Sequence, residues 1–167
     1  MSSATIARAF ALSAAAGVAA LACSAKSDPS PVSYTLQFPS TAAAVYTDSI
    51  VLSVFDAPSG PARATFCSNL VQKKRSGQEL GARMGEVQLG NVCEARDQKR
   101  PLTVDYGEVA LLVVGQHSGT DTYIGCSLQT VGDGNLPVPL YLTPIHDREP
   151  PVTTCTSVTQ FCNRQCP

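Results

Sequence analysis

Residues 108–116 read EVALLVVGQ, and every position from Val109 to Val114 is apolar. A strand with one wet face alternates apolar and polar residues, whereas a run that is apolar throughout has to be covered on both sides. Glu108 to Gln116 is therefore expected as a central strand of a two-layer structure. Leu102 to Asp105 is a shorter strand that leads into it through a turn at Tyr106-Gly107, and HSGTD, residues 117–121, turns the chain again. TYIGCSLQTV, residues 122–131, then alternates, with Ile124, Cys126 and Leu128 on one face.

Working outward, SIVLSVF at 49–55 places Ile50, Leu52 and Val54 on one face and is closed by DAPSGPA. Tyr34 to Phe38 and Met84 to Val92 are weaker strands. GDGN at 132–135 is a hairpin-type turn, and Val138, Leu140 and Leu142 form a last core face. CSNLVQKKR, residues 67–75, is the one stretch with good helix propensity, stopped by Ser76-Gly77. Turns at roughly 10-residue spacing without strand–helix alternation point to an antiparallel β-sandwich with one short helix over residues 34–143. Its core is expected at Leu111, Val113, Ile124, Leu140 and the Ile50–Leu52–Val54 face. Beyond Pro144 periodicity vanishes and three cysteines appear, so 144–167 reads as a disulfide-held tail.

The segments LTVDYGEVALLVV, TYIGCSLQTV and VPLYL carry a G-x-x-x-L-x-V strand, Gly107 to Val113, after a tight turn. They resemble the C-terminal half of prealbumin-like or carboxypeptidase-regulatory-like sandwiches. The resemblance implies an all-β, immunoglobulin-like (prealbumin-like) sandwich. It covers less than half of the chain and implies no activity.

The first 22 residues supply an address. Arg8 precedes an uncharged, Ala-rich run from Ala9 to Ala22, the pattern of a secretory signal peptide and too weakly apolar for a membrane span. Ala20-Leu21-Ala22-Cys23 resembles the lipobox of bacterial lipoproteins, and the chain is similar to small, uncharacterised lipoproteins of Gram-negative bacteria. That likeness implies cleavage before Cys23, acylation of its thiol and attachment to membrane lipid. Ser24, in place of the aspartate that retains such chains at the inner membrane, implies the outer membrane. The other reading is an ordinary secretory signal cut nearby, which leaves Cys23 free. Residues 23–33 are small, polar and Pro-containing, a flexible tether.

Removing residues 1–22 from the 167 leaves 145, enough for one domain with a core. It also removes Arg8, leaving 11 Lys and Arg against 13 Asp and Glu, a formal charge of −2. No concentrated basic patch points to nucleic acid. Past a secretion signal, Cys67, Cys93, Cys126, Cys155, Cys162 and Cys166 read as a disulfide set. Three lie in the body and three in the tail, so complete pairing forces at least one bridge between the two. The preferred set is Cys67 with Cys93, one tail cysteine with Cys126, and the remaining tail pair together.

Candidate chemistry is sparse. His117, Ser118 and Asp121 are neighbours in one turn, where a catalytic triad's geometry is hard to reach. His146 sits beside Asp147 near the tail cysteines, but those thiols are expected in disulfides, so no metal is assigned. Asp133 and Asn135 give two oxygens where calcium needs six or more. Lys73-Lys74-Arg75 suits the C-terminal turn of a helix better than a lipid surface. Tyr34, Tyr46, Tyr106, Tyr123 and Tyr141 could form a sugar- or peptide-binding surface, but strands also use Tyr for packing. No catalytic residue and no cofactor is assigned. The expected role is a non-catalytic binding or scaffolding module on the envelope with a protein partner; the alternative is a secreted-type protease inhibitor or small hydrolase.

Overall fold

A computed structural model describes residues 30–105, 107–132, 137–147 and 149–167. Cys23, Tyr106, Asp133 and Asn135 lie outside the described residues. Strands β1 (Ser30–Val32) and β2 (Tyr34–Gln37) are followed by helix α1 (Thr41–Tyr46) and strand β3 (Ser49–Asp56). Helix α2 (Arg63–Arg75), strand β4 (Gly85–Leu89), helix α3 (Val92–Arg96) and strand β5 (Leu102–Val104) come next. Strands β6 (Gly107–His117), β7 (Thr120–Val131), β8 (Val138–Tyr141) and β9 (Thr143–Pro144) precede helix α4 (Val158–Cys162).

One antiparallel five-stranded sheet, in the order β4-β3-β6-β7-β9, holds the molecule together. Its middle strand is β6, buried from Val109 to Gly115. The reason is visible in its alternation. Val109, Leu111 and Val113 pack with Ile50, Leu52, Val54, Leu89 and Leu140 on one face. Ala110, Leu112 and Val114 pack with Phe55, Leu70 and Ile124 on the other. The expected core residues are all buried, but Ile124 belongs to the opposite face from Leu111 and Leu140.

Helix α2 covers the second of these faces through Leu70, Phe66 and Val71. It begins four residues before the stretch expected from sequence, behind a 3-10 turn at Gly60–Ala62, and ends as expected at Ser76 and at Gly77, whose φ is +68°. The first face is covered by two strand pairs, β1–β5 and β2–β8, and by α1, α3 and α4. The all-β character holds, with two corrections. β2 and β8 run parallel, so the fold is not wholly antiparallel. There are four helices among the described residues, not one short helix. The extra three are short and made by caps: Ser40 accepts from the Ala43 N–H, Asn91 from those of Cys93 and Glu94, and Ser157 from that of Gln160.

Gly125 lets β8 cross closely over β7, because a Cβ there would overlap the Tyr141 carbonyl. Ser30–Val32, expected as tether, pairs with Leu102–Val104 and buries Val32.

The disulfides are Cys67–Cys126, Cys93–Cys162 and Cys155–Cys166. One bridge joins body to tail, as parity requires. Neither the preferred Cys67–Cys93 link nor one from Cys126 to the tail forms, for a plain reason: Cys67 and Cys126 share the helix-covered face, and Cys93 meets the tail's Cys162 on the opposite one. Cys155–Cys166 closes the tail around α4, whose Val158 and Phe161 dock on the core.

Candidate functional site

The two histidines, expected as a solvated turn residue and a tail residue, line a single cleft of about 240 Å³ with Tyr46 and Tyr123. Each arrives by a local device. His117 ends β6, and Ser118 and Gly119, both at positive φ (49° and 75°), make a two-residue hairpin back to Thr120. Positive φ at both central positions is the type I′ turn that suits strand twist. A bulge beyond Gly115 leaves Thr122 without a partner across the ladder, and its hydroxyl donates to the Gly115 carbonyl instead (2.9 Å). Tyr46 is the last residue of α1. His146 follows Ile145, whose N–H donates to the Thr122 carbonyl (2.8 Å) and whose side chain packs on the helix-covered core.

The Tyr46 and His117 rings stack with centroids 3.7 Å apart and planes 19° from parallel. His117 Nδ1 lies 2.7 Å from the Tyr46 carbonyl oxygen. A carbonyl only accepts, so Nδ1 carries the proton and donates, and Nε2 presents a lone pair in the neutral ring. Asp48 accepts from the Ser118 N–H (2.8 Å) and sits 3.3 Å from the same Nδ1. This pair has the base–carboxylate arrangement of a hydrolytic triad. No described hydroxyl is hydrogen-bonded to Nε2, and the six described cysteines are all in disulfides.

Asp121 closes the far wall. Partial burial pushes its carboxyl up, but hydrogen bonds from Lys74 and Gln116, with the Lys74 charge, outweigh that and hold it below the usual carboxylate value. Lys74 Nζ is 2.7 Å from Oδ2 and Gln116 Nε2 is 2.8 Å from Oδ1. Burial, with a contribution from Tyr46, raises the Tyr123 phenol, which therefore stays protonated and uncharged. Phe38 meets the Tyr123 ring edge to face at 6.0 Å.

The remaining candidates stay dispersed. Lys73-Lys74-Arg75 is no free basic patch: Lys74 is paired with Asp121, and Arg75 donates to the Pro144 carbonyl (3.0 Å), tying α2 to β9. Tyr141 is exposed on β8, and the buried Tyr34 hydroxyl belongs to the opposite end of β2 from Phe38. Among the described residues no three His, Cys, Asp or Glu gather as metal ligands. The grouping of Tyr46, His117, Tyr123 and His146 escaped sequence reasoning because the Tyr46–His117 contact spans 71 residues. The one usable signal was the Ser-Gly hairpin, which aims His117 back along the sheet.

No protein-family model matches the chain, and neither a curated protein nor a solved structure is significantly similar to it.

Proposed function

We propose that this protein is a lipid-anchored module of the outer bacterial envelope that acts by binding, and that the Tyr46–His117–Tyr123–His146 cleft is its recognition site. The carrying observation is the convergence of two imidazoles and two phenols, from three separate parts of the chain, in one concavity at the end of the sheet. Concave sites with aromatic walls and a few convergent polar groups are where small ligands bind. The anchor is supported by the signal-like run ending at Ala20-Leu21-Ala22-Cys23 and by arithmetic: of seven cysteines, six are consumed in disulfides and Cys23 is left over. Two packed β layers support the body as an immunoglobulin-like, prealbumin-like sandwich, with α2 added outside.

A fragment screen on the full chain, read by the imidazole resonances of His117 and His146, tests the site. Ligands that shift both rings together are expected; a screen in which the two never move together overturns it. For the anchor, Cys23→Ser is expected to leave the detergent phase, and wild-type partitioning would contradict acylation. A hydrolase is the second reading, favoured by the Asp48–His117 contact. It requires turnover of activated esters that His117→Gln abolishes.

A further inference from the structure

The cleft supports one step beyond the binding role, and this step rests on that reading. Five of its eight lining residues carry hydroxyls, Tyr46, Ser118, Thr120, Thr122 and Tyr123, of which Thr122 already donates to the Gly115 carbonyl. The formal charges nearby are already engaged. Asp121 is held by Lys74 and Gln116, and Asp48 by the Ser118 N–H beside His117. Lys74 is thus not free to hold an anion, nor Asp121 a cation. Tyr123 is 2% exposed overall, its hydroxyl is not among the buried oxygens that lack a partner, and no described residue hydrogen-bonds it. A hydroxyl that meets solvent at the cleft wall without a protein partner can exchange water for a ligand's hydroxyl.

Shape narrows the ligand further. The stacked Tyr46 and His117 rings form a slab, pinned by the Nδ1–H donation to the Tyr46 carbonyl. A π face carries partial negative charge and packs well against C–H groups. At about 240 Å³ the cleft is smaller than those that take drug-sized molecules, roughly 300–1,000 Å³, and suits a single ring. Two demands then meet in one chemistry: an apolar ring face for the slab, and several neutral hydroxyls for the hydroxyl-rich rim.

We propose that the cleft binds one uncharged pyranose ring, with its C–H face on the Tyr46–His117 slab and its hydroxyls on Tyr123, Ser118 and Thr120. A free sugar and one unit of a glycan present the same groups to the cleft, and the experiment separates them.

The full chain in detergent micelles is titrated with the methyl pyranosides of glucose, mannose, galactose and N-acetylglucosamine, and with the linear tetrasaccharide of whichever binds. At least one glycoside is expected to shift both imidazoles, with a Kd on the order of 1 mM for so few contacts. Tighter binding of the tetrasaccharide identifies a glycan unit; equal binding identifies a free sugar. Tyr123→Phe, which removes only the hydroxyl, is expected to weaken binding about 3- to 10-fold, with the Leu111 and Val113 methyl resonances unchanged. Tyr46→Ala, which removes the slab, is expected to cost more than about 10-fold. The proposal is overturned if no glycoside shifts either ring, if tetramethylammonium or acetate binds there instead, or if Tyr123→Phe binds as wild type does. A non-sugar fragment in the cleft would sink the sugar assignment and leave the binding role standing; an empty screen would sink both.

Discussion

The two faces of the central sheet are covered in opposite ways. On one, a single 13-residue helix, α2, lies over Ala110, Leu112, Val114 and Ile124, and Cys67–Cys126 fastens it to β7. On the other, seven short elements from along the chain share a larger core around Leu111, Val113 and Leu140, and Cys93–Cys162 fastens the tail among them. A continuous helix forms by local hydrogen bonds and propensity, whereas a patchwork depends on contacts distant in sequence and has high closure entropy. The disulfide matters differently on each side: it reinforces a helix that packs anyway, but it holds α4, whose own apolar contacts with the core are Val158 and Phe161.

The largest effect is expected from the patchwork core. Leu111→Ala empties a fully buried position in the larger cluster and should cost about 2–5 kcal/mol. Leu70→Ala, on the helix face, should cost less because its cluster is smaller and rimmed by half-buried residues, and the exposed end of the same helix, at Lys73→Ala, almost nothing. Thermal melts of the three variants rank them; equal costs at Leu111 and Leu70 would erase the distinction between the faces.

Removing the tail staple comes next. The Cys93→Ala, Cys162→Ala pair opens a link spanning 69 residues and is expected to cost about 2–4 kcal/mol. Amide exchange should rise across α4 and leave α2 protected. The matched Cys67→Ala, Cys126→Ala pair should leave α4 protected. Rapid exchange of α4 in both would mean that the tail is held by something other than its bridge.

The smallest effect is electrostatic and sits where the two faces meet the cleft. The Asp121 carboxyl lies below its ordinary 3.8 in the folded protein. A group that binds its proton less readily when folded adds stability above its unfolded value, and the gain is lost as pH falls through the lower native value. Wild type should therefore lose stability on acidification below about pH 4, more steeply than Asp121→Asn. Because the Lys74–Asp121 pair is partly exposed, the gap at pH 7 should stay under about 1 kcal/mol. Parallel acid titrations would show the pair to be idle.

What could be read in the sequence follows the same division. The EVALLVVGQ run announced a strand covered on both sides, β3, β6 and β7 lie within two residues of their expected spans, and α2 was marked by its helix propensity and its Ser76-Gly77 stop. On the patchwork face the strands β2, β5 and β8 were legible one by one, but their partners were not. The parallel β2–β8 pairing joins Tyr34 to Val138, a contact no local pattern encodes. The strand expected over Met84–Val92 ends at Leu89 because Asn91 caps α3, with Glu94 returning to the Gly90 N–H (2.8 Å). The Ser157-x-x-Gln160 cap of α4 was a readable signal inside a segment that looked featureless. Of the cleft, the histidines and tyrosines could be named but not assembled, because helix α1, the hairpin and the tail meet only in three dimensions.

Non-reducing peptide mapping of the purified full chain tests most directly the claim that the two faces are built and stapled separately. The expected links are Cys67–Cys126, Cys93–Cys162 and Cys155–Cys166. A Cys67–Cys93 peptide would contradict the account, since that bond would have to pass from one face of the sheet to the other.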